Sequence, residues 1–107
     1  MDSLDRMLRT TLLYDTYKSL LTEKQKTYFE DYYFDNLSIS EVANKYNVSR
    51  NAIHSQLSLL VDELESYEKK LALLAKDERR SAIIEELKKN AKEEELTLLK
   101  KLEEVDV

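Results

Sequence analysis

The chain has 107 residues, with 17 Lys and Arg against 22 Asp and Glu, a formal net charge of −5, one His, and no Gly, Pro, Cys or Trp. That length holds one domain, or one domain with an appended helical arm. The lack of Gly and Pro argues against turn-rich β folds and phosphate-cradling loops, and the lack of Cys excludes disulfides and thiolate metal sites.

The amino terminus, Met1-Asp2-Ser3-Leu4-Asp5, lacks the basic start and apolar run of a signal peptide, and no later run approaches bilayer-spanning length. A cytoplasmic protein with no membrane insertion is expected. From Ser3 to Leu20, Leu4, Met7, Leu8, Leu12, Leu13, Tyr17, Leu20 and Leu21 recur at steps of three and four, which predicts an amphipathic helix. Thr22 and Gln25 form a capping box, each side chain meeting the other's backbone N–H, and open a helix that runs to about Phe34. Tyr28, Phe29, Tyr32, Tyr33 and Phe34 crowd this helix. Aromatics can stack bases, but here they are interspersed with Glu30, Asp31 and Asp35 and not with cations, so core packing is the better reading. Asp35-Asn36 ends the helix, Asn36 standing where Gly would sit in a left-handed cap.

Two short helices then follow across a tight turn. Ser38 and Glu41 form a second capping box, and Ile39, Val42, Ala43 and Tyr46 make the inward face. Ala43 is small where two helices must cross closely. Asn47 suits the left-handed turn residue, Val48 is expected to plug the turn into the core, and Ser49 caps the next helix. Ile53, Leu57 and Leu60 face inward there. Ser49, Arg50, Asn51, His54, Ser55 and Ser58 are left pointing outward, as the recognition helix of a helix-turn-helix would present them.

This second helix is expected to run on from Arg50 to about Ala75. Ile53, Leu57, Leu60, Leu64, Tyr67, Leu71 and Leu74 alternate steps of four and three, the seam of a coiled coil. A second copy of the chain, giving a homodimer through Leu57, Leu60, Leu64, Tyr67, Leu71 and Leu74, is the preferred partner, with antiparallel packing inside the chain as the alternative. Beyond it, Asp77 is the expected cap of a short amphipathic helix that breaks near Asn90. A last helix carries Leu96, Leu98, Leu99, Leu102 and Val105. The expected layout is a helix-turn-helix domain with its long helix over residues 1–75 and a helical arm over 76–107, all-α and without a wing.

Leu37-Ser38-Ile39-Ser40-Glu41-Val42-Ala43 with Val48-Ser49-Arg50-Asn51-Ala52-Ile53 resembles the last DNA-reading region of bacterial sigma factors. More narrowly, the chain resembles the YlxM family of small helix-turn-helix proteins. Arg6-Met7, Tyr14-Asp15, Tyr17, Leu20 to Gln25, Tyr28, Tyr32-Tyr33, Leu64 and Tyr67 to Leu71 carry that likeness over residues 4 to 74. The resemblance implies a regulator tied to the signal recognition particle pathway. Where relatives commonly have Gln-Ala-Val-Tyr-Asp, this chain has Asn51-Ala52-Ile53-His54-Ser55. The family's outward residues therefore carry over only at Ser49, Arg50 and Ala52.

Enzymatic chemistry is not indicated. The lone His54 has no second His or Cys to complete a metal site, and no pocket or nucleophile is implied beside it, so neither metal nor cofactor is expected. Two binding classes remain. A sequence-specific DNA binder would use Arg50, Asn51, His54 and Ser55 in the major groove. An adaptor would engage signal recognition particle components, with Tyr67, Glu68 and Lys70 as a contact surface. Between Ser38 and Glu65, Lys45 and Arg50 stand against Glu41, Asp62, Glu63 and Glu65, and this thin positive charge favours the adaptor.

Overall fold

The computed structural model describes residues 3–105, and every regular element among them is helical. Packing divides the chain into two units, Met1–Ala72 and Leu73–Val107.

The first unit begins with α1, Ser3–Tyr17, and a 3-10 turn at Lys18–Leu20. α2, Glu23–Tyr33, starts at the expected capping box: Gln25 N–H donates to Thr22 Oγ1 at 3.2 Å and Thr22 N–H to Gln25 Oε1 at 2.9 Å. α3, Ile39–Tyr46, starts at the second box, with both Ser38–Glu41 bonds at 3.1 Å. α4 is Arg50–Leu71. Its start is set by Ser49 Oγ, which accepts from the Ala52 N–H at 3.0 Å.

These helices close over one core because each offers apolar residues at helical spacing. Tyr28, Val42, Ala43, Ile53 and Leu57 form a cluster of buried residues, flanked by Tyr32, Leu37, Ile39 and Tyr46. Phe29 stacks on Tyr14 with ring centroids 4.0 Å apart and on Tyr33 at 4.3 Å. The aromatics of α2 are thus packing residues at Tyr28 and Phe29, while Phe34 remains exposed.

Several details differ from the sequence expectation. α1 turns Thr10, Leu13, Tyr14 and Tyr17 inward and leaves Leu4, Met7, Leu8 and Leu12 exposed, Leu4 at 76%. Both sides of this helix are apolar at three-to-four spacing, and the side with the larger rings is the buried one. Val48 does not plug the core, being 40% exposed. Its backbone fixes the turn instead: Val48 N–H donates to Ala43 O at 3.0 Å, while Asn47 takes φ 55° and ψ 49°. That six-to-one bond around a left-handed residue is a Schellman closure.

The long helix is shorter than expected. It ends at Leu71 because Ala72 adopts φ 52° and ψ 33°, and Leu74 and Ala75 belong to the following helix. The seam on α4 is also filled differently from a dimer contact. Leu57, Leu60 and Leu64 are buried within the chain, with α4 lying against α1, α2 and α3, so a second copy has no access to them. Tyr67 is half-buried beside Tyr17, and Leu71 is exposed.

The second unit is a helical hairpin. α5, Leu73–Lys88, begins four residues before the expected cap at Asp77, and α6 is Glu93–Glu104. The break near Asn90 is present: Asn90 and Ala91 N–H groups donate to Leu87 and Lys88 carbonyls at 3.4 Å. Lys88 reaches Glu103 at 2.7 Å and so ties the two helices.

Candidate functional site

The pair α3 and α4, with Asn47 between them, presents the outer face of α4 without a covering element. Ser49, Arg50, Asn51, His54, Ser55 and Ser58 are all exposed. Arg50, His54 and Ser58 recur every four residues and so form one stripe, with Asn51 and Ser55 beside it. Ser49 is at once a surface residue and the cap, since its hydroxyl oxygen is held by the Ala52 N–H.

Two shallow hollows adjoin on this face. One, of about 500 Å³, is lined by Ile39, Ser49, Arg50, Asn51 and His54. The next, of about 310 Å³, is lined by Tyr32, Tyr33, Ile39, His54, Leu57, Ser58, Val61 and Asp62. Ile39 and His54 belong to both. The stripe on α4 therefore runs into a floor supplied by α2 and the start of α3.

Tyr32, Tyr33, Ile39, Val61 and Asp62 were not singled out as site residues by the sequence. The signal was present for the tyrosines. Two adjacent helical residues point about 100° apart, so Tyr32 and Tyr33 cannot both face one core. Burial, and then the neighbouring Tyr32, raise the Tyr33 phenol above its ordinary value.

Charge at this site differs from what residue counting suggests. Lys45 donates to Asp31 at 3.0 Å, and the hydrogen bond to that carboxylate raises the Lys45 pKa. Asp31 is only 4% exposed and also accepts from the Tyr46 hydroxyl, so Lys45 is spent on holding α3 to α2. The acidic residues are engaged as well. Glu41 is in the capping box, Glu63 accepts from Gln25 at 2.8 Å and from Tyr67 at 2.7 Å, and Glu65 takes the Arg9 guanidinium through two bonds at 2.9 and 3.0 Å. Among the side chains lining the hollows, Arg50 supplies the positive charge and Asp62 the negative.

The alternative contact surface is less independent. Glu68 accepts from the Tyr17 hydroxyl and Tyr67 donates to Glu63, so both side chains hold the fold together. Substituting them tests stability before it tests binding.

Among the described residues no group of three or more His, Cys, Asp or Glu is placed to hold a metal ion, and no helix is long and apolar enough to cross a membrane.

Comparison with known proteins gives one consistent likeness. The model of a family described as "Putative helix-turn-helix protein, YlxM / p13 like" (UPF0122) matches residues 4–105. A UPF0122 protein of Halalkalibacterium halodurans is 47% identical over 107 residues, covering 96% of each chain. The UPF0122 protein YlxM of Bacillus subtilis is 42% identical over 109 residues, covering 97% of this chain and 99% of its own.

Proposed function

The chain belongs to the UPF0122 family of helix-turn-helix proteins, and from that premise we infer that it is a non-enzymatic regulatory binding module of the cytoplasm, associated with components of the signal recognition particle. One observation carries the binding role. The outer face of α4 from Ser49 to Ser58 is left open by its own chain, while the residues around it are consumed in fixing the fold. The partner class rests on the resemblance of residues 4 to 74 to the YlxM family. The nearly neutral face agrees with it, because a ligand recognised mainly through phosphates calls for several free cations.

A second reading is sequence-specific DNA binding. Arg50 favours it: this residue makes no ion pair among the described residues and stands at the first helical position of α4, where a recognition helix meets base edges and phosphate.

Affinity capture of the tagged chain from host cytosol, with and without nuclease, tests the first reading. Retention of a signal recognition particle protein or its RNA, lost when Asn51, His54 and Ser58 are changed together to Glu, is the expected result. Recovery of DNA alone, abolished by nuclease, overturns it. In that case Arg50→Ala should weaken DNA binding by about 1–3 kcal/mol and lower the salt slope by about one, read by fluorescence anisotropy over a salt series.

A further inference from the structure

α6 has no buried side chain, although it carries Leu96, Leu98, Leu99 and Leu102. In its hairpin partner α5 only Leu74 and Ile84 are buried. A 12-residue helix is marginal in water without an apolar surface to pack on. Two helices alone cannot supply one to each other on every side.

The unburied residues are not scattered. Ile83 and Leu87 of α5 and Leu98 and Leu102 of α6, with Leu98 65% exposed, border two hollows of about 410 and 300 Å³ that share Leu87 and Leu102. The result is one continuous apolar groove along the hairpin. The charged residues that line the hollows differ in sign from one end to the other. Lys76, Arg79 and Arg80 rim the end at the start of α5, and Glu95 rims the end at the hairpin turn. Arg80 pairs with Asp77, whereas Lys76, Arg79 and Glu95 make no ion pair among the described residues.

We propose that this groove is a self-association surface: the hairpins of two copies pack face to face and antiparallel into a four-helix bundle. The occupant follows from the charge pattern. A two-fold axis through the middle of the groove brings the basic end of one hairpin onto the acidic end of the other, and does so twice. The apolar stripes then meet between them, as in antiparallel bundles built from hairpins. A parallel pairing would instead oppose like charges at both ends, which is unfavourable. The proposal does not depend on what the helix-turn-helix binds.

Sedimentation equilibrium of the full chain over a concentration series tests it. The wild type should sediment as a dimer, and Leu98→Glu should raise the dissociation constant by more than about tenfold while circular dichroism retains the helix content. Because Leu98 is exposed within the chain, the substitution removes the contact without opening a core. Arg79→Glu alone and Glu95→Lys alone should each weaken the dimer, and the double variant should regain most of the loss, the signature of facing charges. A chain that stays monomeric up to its solubility limit overturns the proposal, as does a dimer indifferent to Leu98→Glu. Lack of recovery in the double variant overturns the antiparallel pairing.

Discussion

Asp31 shows how one carboxylate decides a local geometry. It is buried on α2 and receives both the Lys45 ammonium and the Tyr46 hydroxyl of α3, so its charge is compensated at the point where the two helices meet. Asp31→Ala removes the acceptor and leaves the Tyr46 hydroxyl without its partner. The substitution should cost about 1–3 kcal/mol in urea unfolding. Tyr14 behaves differently. Burial, and then its hydrogen bond to Glu30, raise the phenol far above its ordinary value near 10. A group with a raised folded value contributes stability that is complete below the unfolded pKa and is lost as pH rises toward the folded one. The urea midpoint should therefore hold up to about pH 10 and fall above it, and Tyr14→Phe should fall less steeply over that range. Tyr46, raised first by burial and then by Asp31, adds to the same alkaline loss. Sequence alone pointed to Arg50, Asn51, His54 and Ser58 as outward residues, since their spacing follows from the inward positions of Ile53 and Leu57. It could not show that Lys45 was committed to Asp31, because the pair spans two helices whose crossing no periodicity reports.

At the level of elements, the starts of helices were more legible than their ends. Thr22, Ser38 and Ser49 cap through side chains that reach three residues along, an interaction written entirely in local sequence. Asn36 and Asn47, at φ 59° and 55°, were legible too, because Asn tolerates the left-handed region. Ala72 at φ 52° was not. Alanine is the best helix former, and nothing in its neighbours announces a stop. A Cβ in the left-handed region costs about 1–2 kcal/mol, against a smaller entropic cost for glycine in the unfolded chain. Ala72→Gly should accordingly stabilise the first unit by ~0.5–1 kcal/mol, seen as a higher urea midpoint. Continuing the heptad through Leu71 to Leu74 joined what are two helices. The inward face of α1 was obscured for a related reason: both of its sides carry apolar residues, and the buried one is the side whose Tyr14 and Tyr17 meet the rings of Phe29, Phe34 and Tyr67 on other helices.

Over the whole molecule, net charge proved a poor guide to surface character. The value of −5 includes carboxylates that cap helices or bind guanidinium and ammonium groups within the chain, so it does not report the charge presented at the face of α4. The all-α class followed from the missing Gly and Pro together with the periodicities. The sequence placed the division after residue 75, where the heptad stops, and packing places it after Ala72, whose left-handed backbone ends α4. That uneven packing has a consequence for how the molecule opens. Amides of α6 are held by their own helical bonds with no buried side chain above them, whereas those near Val42, Ile53 and Leu64 lie under a closed core. Hydrogen–deuterium exchange on a dilute sample should strip the label protection from α6 within the earliest time points, while α3 and the first half of α4 keep theirs until the first unit unfolds as a whole. The chain would then possess two clocks, and concentrating the protein should slow only the faster one.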